Sequence, residues 1–424
     1  MRVVVLFAAL LTQAGAAPPV GDIALSEHAS RRAALRKAWP DAVIAMAGDS
    51  EPDRGGLRTP FFQEANFLYL TGWREPGAML LLAPEGEFLF IPKRNEIRDR
   101  YTGRKAAPDD DGIAAQSGFE HVVEAGEFPA RLKALATPGR AVYWLPGPGS
   151  ASAIQAALPG RELQSAEKAI ARLRMIKSTA EIARLQRSVD ATVAAHLAAW
   201  QRVKTGLYEY QVAASMGSAY FEQGCERHAY MPIVASGPMS ISLHYAANKR
   251  RMDSGELLLM DVGAECGDYA ADITRTVPVN GKFNPRQREI YEIVLGAQNA
   301  AIAAAKPGMK LLGLGEDSLN GIARRYVETH GKDLHGESLV KYYLHSLGHH
   351  VGLEVHDATD PDLVLQPGMV ITIEPGIYIA EESIGVRIED MILITSNGNR
   401  VMSSALPRSP GEIEKGIRQQ PRKR

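Results

Sequence analysis

Two cysteines in 424 residues are too few for a disulfide framework, and neither Cys225 nor Cys266 sits in a C-x-x-C or cysteine–histidine zinc pattern. They are expected as packed thiols, with pairing in an oxidising compartment left open. An excess of one charge is also missing: 48 basic residues face 49 acidic ones, for a net charge of −1. That balance excludes an electrostatic footprint for nucleic acid or for an acidic membrane surface. The basic end, residues 419–424, reads as a solvated tail. Beyond the first residues no apolar run approaches the roughly 20 residues that a spanning helix requires.

Those first residues are different. Met1-Arg2 supplies a charged start, Val3 to Leu11 is uninterrupted and apolar, and Ala14 and Ala16 form an A-x-A arrangement. This pattern is that of a secretory signal over residues 1–17, and a buried N-terminal strand is the other way to read the run. Cleavage there predicts an exported protein, periplasmic or secreted, with no membrane insertion afterwards.

The length suggests two domains, each with ample core. Residues 18–165 alternate short helices and strands, which predicts a small α/β domain. Ala42–Ala47 and Phe67–Tyr69 read as strands, and Met79–Leu82 and Glu87–Ile91 flank a hairpin turn. Phe128–Leu135 reads as helix and Ala141–Leu145 as extended chain. A second domain is expected over residues 166–412, followed by a basic tail over 413–424. Ser178 and Glu181 form an S-x-x-E capping box that opens a helix running to about Lys204. A second helix is expected from Glu209 to Gln223, then strands from Met231 to Val279. Helices follow over Arg286–Ala305 and Gly313–His330, and the last section returns to strands.

What is present in that domain is a set of carboxylates in the wrong surroundings. Asp261 follows Glu-Leu-Leu-Leu-Met, Glu374 sits inside Val-Ile-Thr-Ile-Glu-Pro-Gly-Ile-Tyr-Ile, and Glu389 lies in Gly-Val-Arg-Ile-Glu-Asp-Met-Ile-Leu-Ile. A carboxylate in so apolar a run costs several kcal/mol unless a cation or donors compensate it. Asp261 and Asp272 flank a glycine-containing turn and can face each other across a hairpin, where they repel unless they share a cation or a proton. Alone, the hairpin also allows exposed strand-edge aspartates. Asp268, in the turn, reads as solvated. Four of the 11 histidines then fall within 13 residues, at His345, His349, His350 and His356. One imidazole among four carboxylates suits Mn²⁺ first, with Co²⁺, Fe²⁺ or Zn²⁺ as alternatives. The remaining histidines are available for proton transfer or for holding a developing oxyanion.

With those stretches quoted, Gly-His-His-Val-Gly-Leu-Glu-Val-His-Asp and Phe-Leu-Tyr-Leu-Thr-Gly-Trp-Arg-Glu-Pro-Gly included, the chain resembles the pita-bread metallopeptidases. It is most similar to the branch of X-prolyl aminopeptidases and prolidases, over nearly the whole mature chain. The resemblance implies a small N-terminal α/β domain followed by a pita-bread catalytic domain. It implies two divalent ions per chain: Asp261 on one, His349 and Glu374 on the other, Asp272 and Glu389 bridging. A water between the ions would attack the scissile carbonyl, Glu374 would accept its proton and His356 would stabilise the tetrahedral intermediate. His244 would contact the substrate at the scissile bond, and His345, Arg387 and Tyr378 would line or orient the substrate site. His350 receives no role. Substrates would be peptides with proline at the second position, and a homo-oligomer is expected by resemblance alone.

Three rival readings remain, one of them a small-molecule hydrolase like creatinase, which would act without the metals. A prolidase would take only Xaa-Pro dipeptides, and some prolidases carry an arginine shortly after the His-Asp pair. Here that stretch is Ala358-Thr359-Asp360-Pro361-Asp362, without arginine, which favours longer substrates. A catalytically silent binding relative is the third reading, against which the intact ligand set argues.

Overall fold

The computed structural model describes residues 23–51, 60–145, 147 and 150–418. The signal segment expected over residues 1–17 lies outside the described residues, as do residues 419–424 of the expected tail.

The first sheet has six strands: β1 (Val43–Ala47), β2 (Met79–Ala83), β3 (Gly86–Ile91), β4 (His121–Glu124), β5 (Val142–Trp144) and β6 (Gln164–Ser165). They lie in the order β4-β3-β2-β1-β5-β6, antiparallel from β1 to β3 and parallel at both edges. The central β1, Val-Ile-Ala-Met-Ala, is buried throughout, as a strand covered on both faces must be. Helices α1 (Leu25–Ala38), α2 (Ala65–Thr71), α3 (Glu96–Thr102), α4 (Ile113–Ser117), α5 (Phe128–Leu135) and α6 (Ser150–Ala157) surround it. One expectation fails: Phe67–Tyr69 belongs to α2, a helix and not a strand. The Glu64 side chain accepts from Phe67 N at 2.6 Å, and Gly72 ends the helix in the left-handed region at φ 68°. Seven residues buried almost all round show no helical period, so the aromatic content read as strand.

Helix α7 (Glu167–Met175) leads into the second domain, where α8 (Thr179–Trp200) opens with the expected capping box: Glu181 N to Ser178 Oγ is 3.2 Å, and Ser178 N to Glu181 Oε2 is 2.9 Å. Helix α9 (Glu209–Phe221) packs along α8. Strands β7 (Arg227–His228), β8 (Ile233–Ser236), β9 (Leu257–Val262), β10 (Ala264–Cys266), β11 (Tyr269–Ala270) and β12 (Ile273–Pro278) form two small sheets, β11-β10-β7 and β12-β9-β8. Next come α10 (Pro285–Ala304) and α11 (Leu319–His330). The latter starts six residues later than expected, because Ser318 is the residue whose hydroxyl caps it, accepting from Gly321 N at 3.1 Å. Strands β13 (Val370–Ile373), β14 (Gly376–Ile379), β15 (Ile384–Arg387), β16 (Asp390–Thr395) and β17 (Gly398–Val401) complete the domain as sheets β13-β16-β17 and β14-β15. Helix α12 (Pro410–Arg418) runs across residue 413, where the tail was expected to begin, and buries Ile413 and Ile417.

Cys225 and Cys266 are joined as a disulfide, not left as thiols. The end of α9 and strand β10 bring their Cα atoms to 4.2 Å, within bridging reach. Among the described residues no helix is long and apolar enough to cross a membrane.

Candidate metal centre

A polar stripe on α8 holds the hairpin that carries the two aspartates. Ser188, Thr192 and His196 recur every four residues and so share one face. The Ser188 hydroxyl donates to Tyr269 O at 2.7 Å, Thr192 Oγ1 accepts from Ala264 N at 2.9 Å, and His196 Nε2 lies 2.9 Å from Ile273 O. These bonds satisfy backbone groups where the β9–β12 ribbon leaves regular pairing. Asp261 lies in β9 opposite Thr274 of β12, and Asp272 immediately precedes β12. Gly263 permits the closure between them: a Cβ there would stand 1.8 Å from Ala271 O. Tyr230 completes this half, with its hydroxyl 2.5 Å from Asp261 Oδ1 and 2.6 Å from Asp272 Oδ1. One phenolic proton cannot serve two carboxylates at once.

The other ligands sit where strands change sheets. Glu374 lies in the step from β13 to β14, and Glu389 in the step from β15 to β16. Only Asp261 of the five is inside a strand. A hydroxyl two residues back along the chain fixes Glu374: Thr372 Oγ1 donates to Glu374 Oε1 at 3.1 Å. Across the ribbon, Thr274 Oγ1 donates to Glu389 Oε2 at 2.7 Å. The buried Arg275 binds Glu389 O at 2.7 Å and Asp390 Oδ1 at 2.8 Å. His349 enters on a loop pinned to β13, its N donating to Thr372 Oγ1 at 3.1 Å. Gly348 lets that loop approach, since a Cβ would meet Thr372 O at 2.1 Å.

The result is one cavity of about 620 Å³ lined by Asp261, Asp272, His349, Glu374 and Glu389. Ligand atoms of Asp272, His349 and Glu389 fall within 4.8 Å of one another, and His349 Nε2 is 3.3 Å from Glu374 Oε1. Glu389 is 1% exposed, yet its Oε1 has no hydrogen-bond partner among the described residues. Burial, then the facing Asp261 and Glu374, raise Asp272 well above the ordinary carboxylate range, and burial with Asp272 and Asp261 does the same to Glu389. Burial, then Glu389, push Glu374 up to about 8. An orphaned buried oxygen amid mutually repelling carboxylates is the chemistry a divalent cation resolves, so these residues fit one. Asp261 faces a different partner, the Arg387 guanidinium.

The remaining expected residues surround the same cavity. Arg387 donates from Nη1 to Tyr378 Oη at 2.7 Å, and that hydroxyl lies 2.8 Å from His345 Nε2. His345 Nδ1 is 2.8 Å from Ser346 O, which makes it the protonated nitrogen and leaves Nε2 to accept from Tyr378. Burial and the Arg387 charge lower His345 to about 4, so the ring is neutral. Burial opposes the Arg387 cation, but Tyr378, Asp261, Glu374 and Glu389 outweigh it and hold the guanidinium charged. His356 stacks on His349 with ring centroids 3.9 Å apart, and partial burial followed by His349 lowers its pKa. His244 and His356 are exposed at the cavity's mouth. Tyr378 is the exception, standing behind the wall formed by His345 and Arg387. His350 is buried away from the cavity.

Sequence reasoning missed Tyr230, Thr274, Thr372 and Arg275. The two threonines carry a usable signal, each two residues from a ligand and so on the same strand face. Tyr230 carries none, because a tyrosine beside a strand is ordinary. The apolar wall consists of Met231, Ile233, Leu243, Leu312 and Val355, none of which the sequence singled out.

Comparisons with known proteins agree with this geometry. Residues 183–396 match the model of metallopeptidase family M24, and residues 28–143 match that of the aminopeptidase P N-terminal domain. The chain is 33% identical to the Xaa-Pro aminopeptidase of Haemophilus influenzae over 88% of its own length and 93% of that protein's. It is 30% identical to the Xaa-Pro aminopeptidase of Escherichia coli, covering 93% and 98%. The structure of Escherichia coli aminopeptidase P with the inhibitor Pro-Leu superposes at a TM-score of 0.85, with 29% identity over 94% of this chain and 99% of that one.

Proposed function

The chain belongs to the aminopeptidase P branch of metallopeptidase family M24, and we propose that it hydrolyses the bond between an N-terminal residue and a following proline. Its fold is that family's: an N-terminal aminopeptidase P domain followed by a pita-bread metallopeptidase domain. The observation that carries the functional reading is the convergence of Asp272, His349 and Glu389 within 4.8 Å, in a cavity also lined by His244, His345 and His356.

In this reading Asp261, Asp272, His349, Glu374 and Glu389 hold two divalent ions, Mn²⁺ first among the candidates. The ions would supply an acidified water and polarise the scissile carbonyl. Glu374 accepts the proton of the attacking water and returns it to the leaving proline nitrogen. His356 donates a hydrogen bond to the developing oxyanion from the cavity mouth. His244 steadies the substrate at the scissile bond, and the neutral His345 presents a flat face to the pyrrolidine ring. Arg387 and Tyr378 fix His345 and Asp261 in place. Proline at the second position suits such a walled pocket, because its amide has no N–H for an extended-strand protease to grip.

The names of the matched relatives, Xaa-Pro aminopeptidases from bacteria to mammals, support the aminopeptidase reading over the prolidase one. Residues 358–362 contain no lysine or arginine and so offer the cavity no carboxylate-binding cation, and Asp360 is paired with Arg172 at 2.7 Å. Export to the periplasm or medium is supported by the signal-like start and by the Cys225–Cys266 disulfide, which an oxidising compartment maintains. A homo-oligomer is part of the same proposal, read by light scattering.

The test is turnover by Mn²⁺-loaded protein of an Xaa-Pro dipeptide, an Xaa-Pro-Xaa tripeptide, a longer Xaa-Pro peptide and the same tripeptide with alanine for proline. Release of the first residue from the tripeptide and longer peptide is expected, with the alanine peptide slow. Turnover of the dipeptide alone would make the protein a prolidase, and none at all would leave the proline assignment wrong.

A further inference from the structure

Among the described residues the His356 ring makes no hydrogen bond, and it stacks on His349. Its place is therefore set by the loop of residues 349–357, and the next side chain, Asp357, anchors that loop. Asp357 N donates to His350 O at 2.9 Å, closing the loop on itself. Gly352 makes room inside, since a Cβ there would stand 2.2 Å from Asp357 Oδ2. The Asp357 side chain is 2% exposed and is bound by two buried cations: Lys177 Nζ at 2.8 Å from Oδ2, and Arg174 Nη2 on Oδ1. Arg174, also 2% exposed, reaches Glu354 Oε2 at 2.8 Å. Its other arm crosses to the first domain, where Nη1 donates to Asn66 Oδ1 of α2 at 2.7 Å. Lys177 N binds Gly368 O at 2.9 Å, in the turn before β13.

We propose that Arg174, with Lys177 behind it, is a positioning residue for His356, and that Asn66 makes this placement depend on docking of the first domain. The inference rests on the reading of His356 as the oxyanion donor. A planar guanidinium can hold Asp357, Glu354 and Asn66 together, whereas an ammonium is a single point of charge. Loose placement of a donor by about 1 Å costs catalysis on the order of 100-fold without weakening ground-state binding equally. Interdomain glue alone would give a different signature, with stability lost and kcat per folded, metal-loaded molecule unchanged.

The experiment compares Arg174→Lys and Asn66→Ala with the parent protein in three readouts. These are kcat and KM on an Xaa-Pro-Xaa tripeptide, metal content by elemental analysis, and the His356 ring signals of Zn²⁺-loaded protein labelled with ¹⁵N-histidine, assigned with His356→Gln. Arg174→Lys is expected to lower kcat about 10- to 100-fold with KM within about threefold, full metal content and a shifted His356 signal. Asn66→Ala, which removes one partly buried amide and no charge, should show the same pattern at about three- to tenfold. If Arg174→Lys does not fold, Asn66→Ala decides alone. A kcat equal to the parent's, a loss that tracks lost metal, or an unmoved His356 signal would overturn the proposal. Should the parent itself fail to cleave the tripeptide, the functional reading falls, and the His356 signal alone still decides the positioning.

Discussion

At the scale of single residues, Glu374 concentrates the conflict between burial and charge. Without a cation its carboxyl rises from the ordinary 4.5 to about 8, and Asp272 and Glu389 rise with it. The folded, metal-free protein thus keeps protons that the unfolded chain has released. Groups raised in this way stabilise the fold below their unfolded values and lose that contribution as pH climbs through the folded ones. The buried histidines oppose them: His28, His345 and His350, depressed from 6.5 to about 4, and His196, depressed to about 3, favour the fold as pH rises. Their effect ends near 6.5, where they are neutral in both states. From about pH 6.5 to 8 the carboxylates therefore decide, and chelator-stripped protein is expected to lose Tm over that interval while metal-loaded protein does not. A stripped protein whose Tm holds level there would contradict the assignment. Asp272→Ala should abolish both turnover and the rise in Tm on adding metal, since it removes a carboxylate proposed to hold the ions. His356→Ala should instead lower kcat about 100- to 1000-fold with metal retained. The four carboxylates that line the cavity stood out because carboxylates are costly in apolar runs, and His349 stood out as one of four clustered histidines. Tyr230 and Arg275 did not, because nothing in their neighbourhoods is anomalous until the chain is folded.

At the scale of elements, the site depends on interruptions more than on regular strands. Glu374 and Glu389 stand where the chain steps from one small sheet to another, and Asp272 stands where the ribbon narrows at Gly263. A hydrophobic pattern reports the strands on either side and is silent about the step, so those residues read as lying within strands. The capping box of α8 was legible because it is a local hydrogen-bond motif, and α2 was not because a seven-residue buried helix has no polar face. The disulfide ties the end of α9 to β10 across 41 residues. Its pairing depended on a contact between distant elements that two isolated cysteines cannot announce. Replacing both cysteines by serine is expected to lower unfolding free energy by about 2–4 kcal/mol in denaturant melts. An unchanged midpoint would mean that the bridge adds no stability.

At the scale of the molecule, charged side chains join the first domain to the second around the histidine loop. Arg31 meets Glu181 at 3.1 Å, Arg74 meets Asp268 at 2.5 Å, and the Arg227 guanidinium lies 3.7 Å over the Phe62 ring. Asp268 was expected to be solvated and is instead part of this joint. A surface charge and a charge awaiting a partner domain look alike in sequence, so the two-domain order was legible and the joint was not. Metal-dependent cleavage of Xaa-Pro bonds at the second domain's cavity is tested most directly by a metal titration. Chelator-stripped protein would be titrated with Mn²⁺ while release of the first residue from an Xaa-Pro-Xaa tripeptide is followed. The rate is expected to be near zero without metal and to level off at about two ions per chain, the number proposed for this site. Turnover that survives stripping, or that reaches its plateau with no Mn²⁺ bound, would contradict the account.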